Sequence, residues 1–163
     1  MNSDAYQFLR QRARNQAAGE VLSALTKVLS AHADEAQLRS VAFEAGRELA
    51  SRHPLAECET LADFERAGDA LFRAADWGTL SVETADDSVT FVHGAPPQDG
   101  WGPEPQPAWM EGLFEGVLAE WMRHLGAGDG LDVRYIGKGE SDTMCYRLAH
   151  RASFSSATRE QRL

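Results

Sequence analysis

The sequence predicts an α+β domain: N-terminal helices, an antiparallel four-stranded sheet, and a long amphipathic helix between the two strand pairs. Three observations predict it. Apolar residues recur at helical spacing in three stretches ahead of Ala75. Alternating segments pair across two polar turns, Ala85 to Ser88 and Gly137 to Ser141. Between those pairs runs the longest helical stripe of the chain, from about Ala108 to Leu125. Periods of 3.6 and 2 residues mark a helix and a half-buried strand respectively. With 163 residues, 43% of them hydrophobic, the chain has enough apolar mass for one domain, assigned to residues 1–152, with a polar tail over 153–163.

The first helix is expected from Ser3 to about His32, capped by Ser3 or Asp4, with Phe8, Leu9, Ala13, Ala17, Val21, Leu25, Val28 and Leu29 along one side. Asp34 to Ser51 forms the second, with Leu38, Val41, Ala42, Ala45 and Leu49 as its apolar face, ended by Arg52-His53-Pro54. Thr60 caps the third, which runs to about Ala75 and buries Leu61, Phe64, Ala67, Leu71 and Phe72. Trp77 to Thr84 and Val89 to His93 alternate as a hairpin with Leu80 and Val82 on one face.

Gly94 to Pro107 is an arm rich in Pro and Gly, which supports neither helix nor ladder because proline lacks a donor and restricts its neighbour. Trp101 at its centre is read either as a contact residue toward another protomer or as folded back onto its own domain. In the long helix, Trp109, Met110, Leu113, Phe114, Val117, Leu118, Trp121 and Leu125 share one broad face; Ala108, Gly112, Gly116 and Ala119 share the other. An interior glycine costs about 1 kcal/mol against alanine, so Gly112 and Gly116 require close approach of another backbone. They are expected to form, with Trp101, an oligomer interface. Leu131 to Ile136 and Thr143 to Ala149 complete the sheet.

The net charge of −9 is unevenly spread: Ala74 to Met122 holds nine acids and no Lys or Arg, so the rest of the chain nets to zero, −9 minus −9. An acidic body of this kind repels phosphate backbones and anionic lipid, which disfavours nucleic-acid and membrane binding. Cys58 and Cys145 form neither a disulfide framework nor a metal spacing. The polar, Arg-containing first twenty residues lack an apolar leader core, and no stretch is long enough to span a bilayer, so a cytoplasmic protein is expected, with the periplasm as the alternative.

No catalytic or metal constellation emerges. His32, His53, His93, His124 and His150 lack a shared ligand spacing, and His93 is expected to be packed. Cys58 with His53 lacks an oxyanion partner. Gly126 to Gly130 follows a helix and enters a strand, the reverse order of a phosphate cradle. Glu111 and Glu115 lie one turn apart and could act as paired carboxylates, but a solvated face is the stronger reading. No enzyme, cofactor or metal is therefore predicted.

Several spaced positions carry a family resemblance: Trp77-Gly78-Thr79 with Glu83, then Val92-His93 and Pro97, then Trp109, Glu115-Gly116 and Trp121, preceded by Gly46-Arg47, Arg52 and Cys58. This pattern resembles the D-subunit family of bacterial cellulose synthase complexes, from about residue 40 to about residue 125. The turn at Ala85 to Ser88 and the loop around Gly137 are shorter than the family's. The resemblance implies a non-catalytic accessory component, a homo-oligomer whose dimers assemble into a ring-like octamer that guides nascent β-1,4-glucan for export and crystallisation. It also implies partners among the cellulose synthase complex subunits and a proline-rich protein. Glucan contact by the N-terminal segment carries over as Asn2, Ser3, Asp4, Tyr6 and Gln7; Trp77, Gly78, Thr79, His93, Trp109, Glu115, Gly116 and Trp121 carry over as structural positions. A second reading is a small-molecule sensor resembling four-vinyl-reductase-like domains, with a ligand pocket between the long helix and the sheet.

Overall fold

The structure is a computed structural model and describes residues 18–97, 109–140 and 143–154. A helix over 18–30 (α1) leads to α2 (Glu35–Arg52) and α3 (Leu61–Ala74), then the hairpin β1 (Thr79–Thr84) and β2 (Val89–Gly94), α4 (Trp109–His124), and β3 (Leu131–Lys138) with β4 (Met144–His150). The α+β class and the placement of α4 between two strand pairs are as the periodicity predicts. All strand pairs are antiparallel, in the order β1-β2-β4-β3, with an irregularity between Tyr135 and Gly137. The expected glucan-contacting residues Asn2, Ser3, Asp4, Tyr6 and Gln7, and Trp101 on the arm, lie outside the described residues.

Local chemistry sets the helix starts. Asp34 and Thr60 each accept from the backbone N–H three residues on, while Gln37 and Asp63 reach back to the cap N–H. Each reciprocal box satisfies two otherwise orphaned donors. One face of the sheet packs on α3 and α4 through Leu80, Phe91, His93, Val133, Met144 and Tyr146; the other presents Ser81, Glu83, Arg134 and Arg147 to solvent. The slab between α4 and the sheet is filled by rings. Phe72 lies 4.9 Å from His93, 5.7 Å from Phe114 and 5.9 Å from Trp121, and Phe64 lies 5.4 Å from Phe91. The ligand pocket expected there by the sensor reading is thus occupied by the protein's own aromatic side chains.

The organising contact is a parallel seam between α2 and α4. Arg39 reaches Glu111 and Glu115, Arg47 reaches Glu120, and the carbonyl of His53 accepts from Trp121 Nε1, so the helices run side by side in one direction. Their backbones touch. A Cβ at Gly46 would overlap the Leu113 carbonyl, one at Gly116 the Phe43 carbonyl, and one at Gly112 would lie 2.5 Å from the Arg39 carbonyl. The expectation that Gly112 and Gly116 meet another protomer is corrected: the backbone that approaches them is α2 of the same chain. The face of α2 is corrected with it. Ala42, Gly46 and Ala50 are buried, whereas Val41, assigned to the core by periodicity, is 66% exposed.

Candidate functional site: the seam, its cleft and an apolar groove

Three features converge on α2 and α4. The first is buried charge. Glu115, only 4% exposed, accepts from Arg39 Nη2 at 2.7 Å and from the backbone N–H of Tyr135 at 2.8 Å. Glu111 shares the same guanidinium at 3.0 Å; burial pushes its carboxyl up while Arg39 pulls it down. Glu120 accepts from Arg47 and Arg123, and the hydrogen bond from Arg123, helped by that from Arg47 against the effect of burial, holds its carboxyl down at about 2. These glutamates do not form the solvated face that their residue type predicts. They are turned inward because α2 brings Arg39 and Arg47 to them from 72 and 73 residues away.

Glu115 also guards the sheet. β3 is an edge strand, and the Tyr135 N–H that points off that edge ends on this carboxylate. At the opposite edge the Leu80 N–H ends on Asp69 at 3.0 Å. Although burial raises the Asp69 carboxyl, hydrogen bonds from Arg73 and Leu80 leave it lowered overall. Glu115→Ala would leave the Tyr135 donor and one arm of Arg39 unmet. We expect a loss of about 2 kcal/mol in chemical denaturation; a change below about 0.5 kcal/mol, the level of an ordinary surface substitution, would contradict this assignment.

The second feature is a cleft of about 730 Å³ between α2, the C-terminal half of α4 and the β3 edge. Five arginines line it (Arg39, Arg47, Arg123, Arg134 and Arg151), with the carboxylates Glu115, Glu120, Asp129 and Asp132. Two carboxylates are each shared by two guanidiniums: Glu120 by Arg47 and Arg123, and Asp132 by Arg134 and Arg151. Phe43, Met122, Val133 and Leu148 supply apolar wall between them. Nothing in the sequence brings these arginines together. They come from two helices, from β3 and from a helical turn after β4.

The third is an apolar groove of about 300 Å³ between α1, α2 and the start of α4, lined by Leu22, Leu25, Leu29, Val41, Leu49 and Trp109 among others. Val21, Leu25, Val28 and Val41 are each more than half exposed.

The resemblance positions separate into two groups. Trp77, His93 and Trp121 meet in the ring cluster. His93 is fully buried, its Nε2–H donates to the Trp77 carbonyl at 2.6 Å, and Nδ1 has no partner among the described residues. The expectation of a packed histidine holds. Burial pushes its pKa down to about 4, with the Trp77 contact opposing. Gly78, with φ of +101°, lets Trp77 turn into that cluster beside the Gly94 carbonyl, and Thr79 opens β1. Glu115 and Gly116 belong to the seam, and Trp109 to the apolar groove. Cys58 donates to the Ala56 carbonyl at 3.1 Å and packs, half-buried, against the core that holds the rings.

The family model for the cellulose synthase D subunit matches residues 5–149. Cellulose synthase operon protein D of Komagataeibacter xylinus is 31% identical over 81 residues, covering 48% of this chain and 52% of that protein, so the alignment spans about half the length of each. The family match takes in the α2–α4 seam, the ring cluster and all four strands, and on that extent the chain belongs to the cellulose synthase D-subunit family.

Proposed function

We propose that this chain is a non-catalytic accessory subunit of a bacterial cellulose synthase complex. In this reading it forms a ring-like homo-oligomer, dimers assembling to an octamer, that organises or guides nascent β-1,4-glucan for export and crystallisation. It would act on the cytoplasmic side, alongside the other components of the complex and a proline-rich partner. No helix among the described residues is long and apolar enough to cross a membrane.

The observation that carries the oligomeric part of this reading is the exposed apolar face of α1 and α2. Val21, Leu25, Val28 and Val41 are 61%, 53%, 57% and 66% exposed on neighbouring helices, with an apolar groove between the helices. A contiguous exposed apolar surface of this kind marks an association site. A second copy of the same face is the simplest occupant, since an isologous contact pairs a patch with itself. Light scattering on the purified chain tests it. We expect an oligomeric mass that falls to dimer or monomer in Val41→Glu and Leu25→Glu variants. A monomeric wild-type chain at micromolar concentration, or variants of unchanged mass, would overturn the oligomeric reading.

A further inference from the structure

We infer that a strip of arginines, running from the open face of the sheet over the β3 edge into the cleft, is a docking surface for an acidic polypeptide segment of a partner protein. Five residues make it: Arg147 on β4, Arg134 on β3, Arg151 just after β4, Arg123 at the end of α4 and Arg47 on α2. The last four line the cleft of about 730 Å³. This surface is separate from the apolar face of α1 and α2, and its occupancy does not depend on the accessory role.

Arg147 is the residue that demands a partner. Of the nine arginines among the described residues, eight are ion-paired and Arg147 is not. It stands on a central strand, on the face of the sheet that meets solvent, with Arg134 directly across on β3 and Thr90 directly across on β2. Like charges opposed across neighbouring strands, with Cβ atoms about 5 Å apart, destabilise a sheet. Arg134 has Asp132 at 3.0 Å for relief, whereas Arg147 has no carboxylate among the described residues. An anion laid over both forks would relieve the pair, since a carboxylate takes two guanidinium N–H groups side by side.

The rest of the strip is nearly balanced in formal charge but not at its surface. Glu120 and Asp132, each shared by two of these arginines, have side chains only 7% and 21% exposed, whereas those of Arg47, Arg123, Arg134 and Arg151 are 41–64% exposed. The carboxylates lie beneath and the guanidiniums above. Arg47 Nη2, Arg123 Nη1 and Arg151 Nη1 remain unbonded among the described residues. An approaching molecule thus meets five guanidiniums and two exposed carboxylates, Glu44 beside Arg47 and Asp129 beside Arg151. That excess selects an anion, and its setting selects a polypeptide. The nine acids between Ala74 and Met122 repel an extended polyanion or an anionic bilayer. A short acidic segment senses little charge beyond about 8 Å at physiological salt. Phe43, Met122, Val133 and Leu148 give its aliphatic side chains an apolar floor.

The test is fluorescence anisotropy of the full chain with a short labelled peptide of Glu and Leu. A Lys and Leu peptide of equal length, a single-stranded oligonucleotide and phosphatidylglycerol vesicles serve as comparisons. The Glu and Leu peptide is expected to bind most tightly, and less tightly as salt is raised. Arg147→Ala and Arg134→Ala are each expected to weaken it about fivefold, the loss of one exposed ion pair, with assembly mass unchanged. Arg147→Ala breaks no ion pair among the described residues and removes a like-charge contact. Its melting temperature should therefore be unchanged or slightly higher, which separates lost docking from lost fold. No binding of the Glu and Leu peptide, unchanged affinity in both variants, or tighter binding of any comparison would overturn the inference. So would a fall in assembly mass in Arg147→Ala, which would make a second copy of the chain the occupant.

Discussion

Gly116→Ala is expected to destabilise the fold by about 3 kcal/mol or more before any compensation. The added methyl would overlap the Phe43 carbonyl, which is main chain of α2 and cannot swing aside as a side chain can. The helices would have to separate, and the seam holds Arg39–Glu111, Arg39–Glu115 and Arg47–Glu120 at 2.7 to 3.0 Å. Alanine's helix propensity returns only about 1 kcal/mol, so the net loss should be about 2 kcal/mol or more. Gly46→Ala, which meets the Leu113 carbonyl from the other helix, should behave alike. The two changes should combine non-additively, because once one methyl has parted the helices the second costs less. Urea denaturation of the two single variants and the double variant checks this. Stabilisation by about 1 kcal/mol, the result for an exposed helical glycine, would show that the backbones do not meet.

Acidification from pH 6.5 to pH 4 is expected to cost the fold about 3 kcal/mol through His93 alone. The unfolded histidine takes up a proton near 6.5, whereas the folded one does so only at about 4. Between those values the unfolded state binds the extra proton, so stability is full above pH 6.5 and declines as pH falls. The interval of about 2.5 units at about 1.4 kcal/mol per unit gives the magnitude. The cause is geometric. Nε2–H is committed to the Trp77 carbonyl, so a second proton must sit on Nδ1, inside rings of Phe72 and Phe114 whose centroids are 4.9 and 4.3 Å away. Glu120, held at about 2, contributes stability that is lost below pH 4.5, an almost separate window. The difference between wild type and His93→Leu, followed by denaturant midpoint against pH, isolates the effect. The variant should lose about 1 kcal/mol at pH 7 with the Trp77 hydrogen bond, and its decline between pH 6.5 and 4 should be shallower. Parallel curves would refute the assignment.

What the sequence discloses and what it hides follow from the range of the forces involved. Strand alternation at Leu80 and Val82, the Thr60 cap and the broad stripe from Trp109 to Trp121 are local patterns, and they appear where periodicity places them. The glycine pair in α4 is also legible as a demand for close approach. Its partner is not, because Gly46 and Phe43 lie some seventy residues earlier and nothing local announces that two distant helices run parallel. The same blindness hides Glu115 and Glu120. Acid residues on a helix read as solvent-facing until the arginines that cover them are known. The cleft is the extreme case, since its five arginines come from separate elements and form a set only in three dimensions.

The carboxylate stoppers on the two outer strands bear on how such a protein survives at high local concentration. With the Leu80 and Tyr135 donors occupied by Asp69 and Glu115, neither margin of the sheet offers an open row of main-chain hydrogen-bonding groups at those points. Crowded copies are thereby discouraged from continuing one another's sheet into a fibril. The exposed apolar surface that remains, on α1 and α2, is helical, and its backbone donors and acceptors are already spent within the helices.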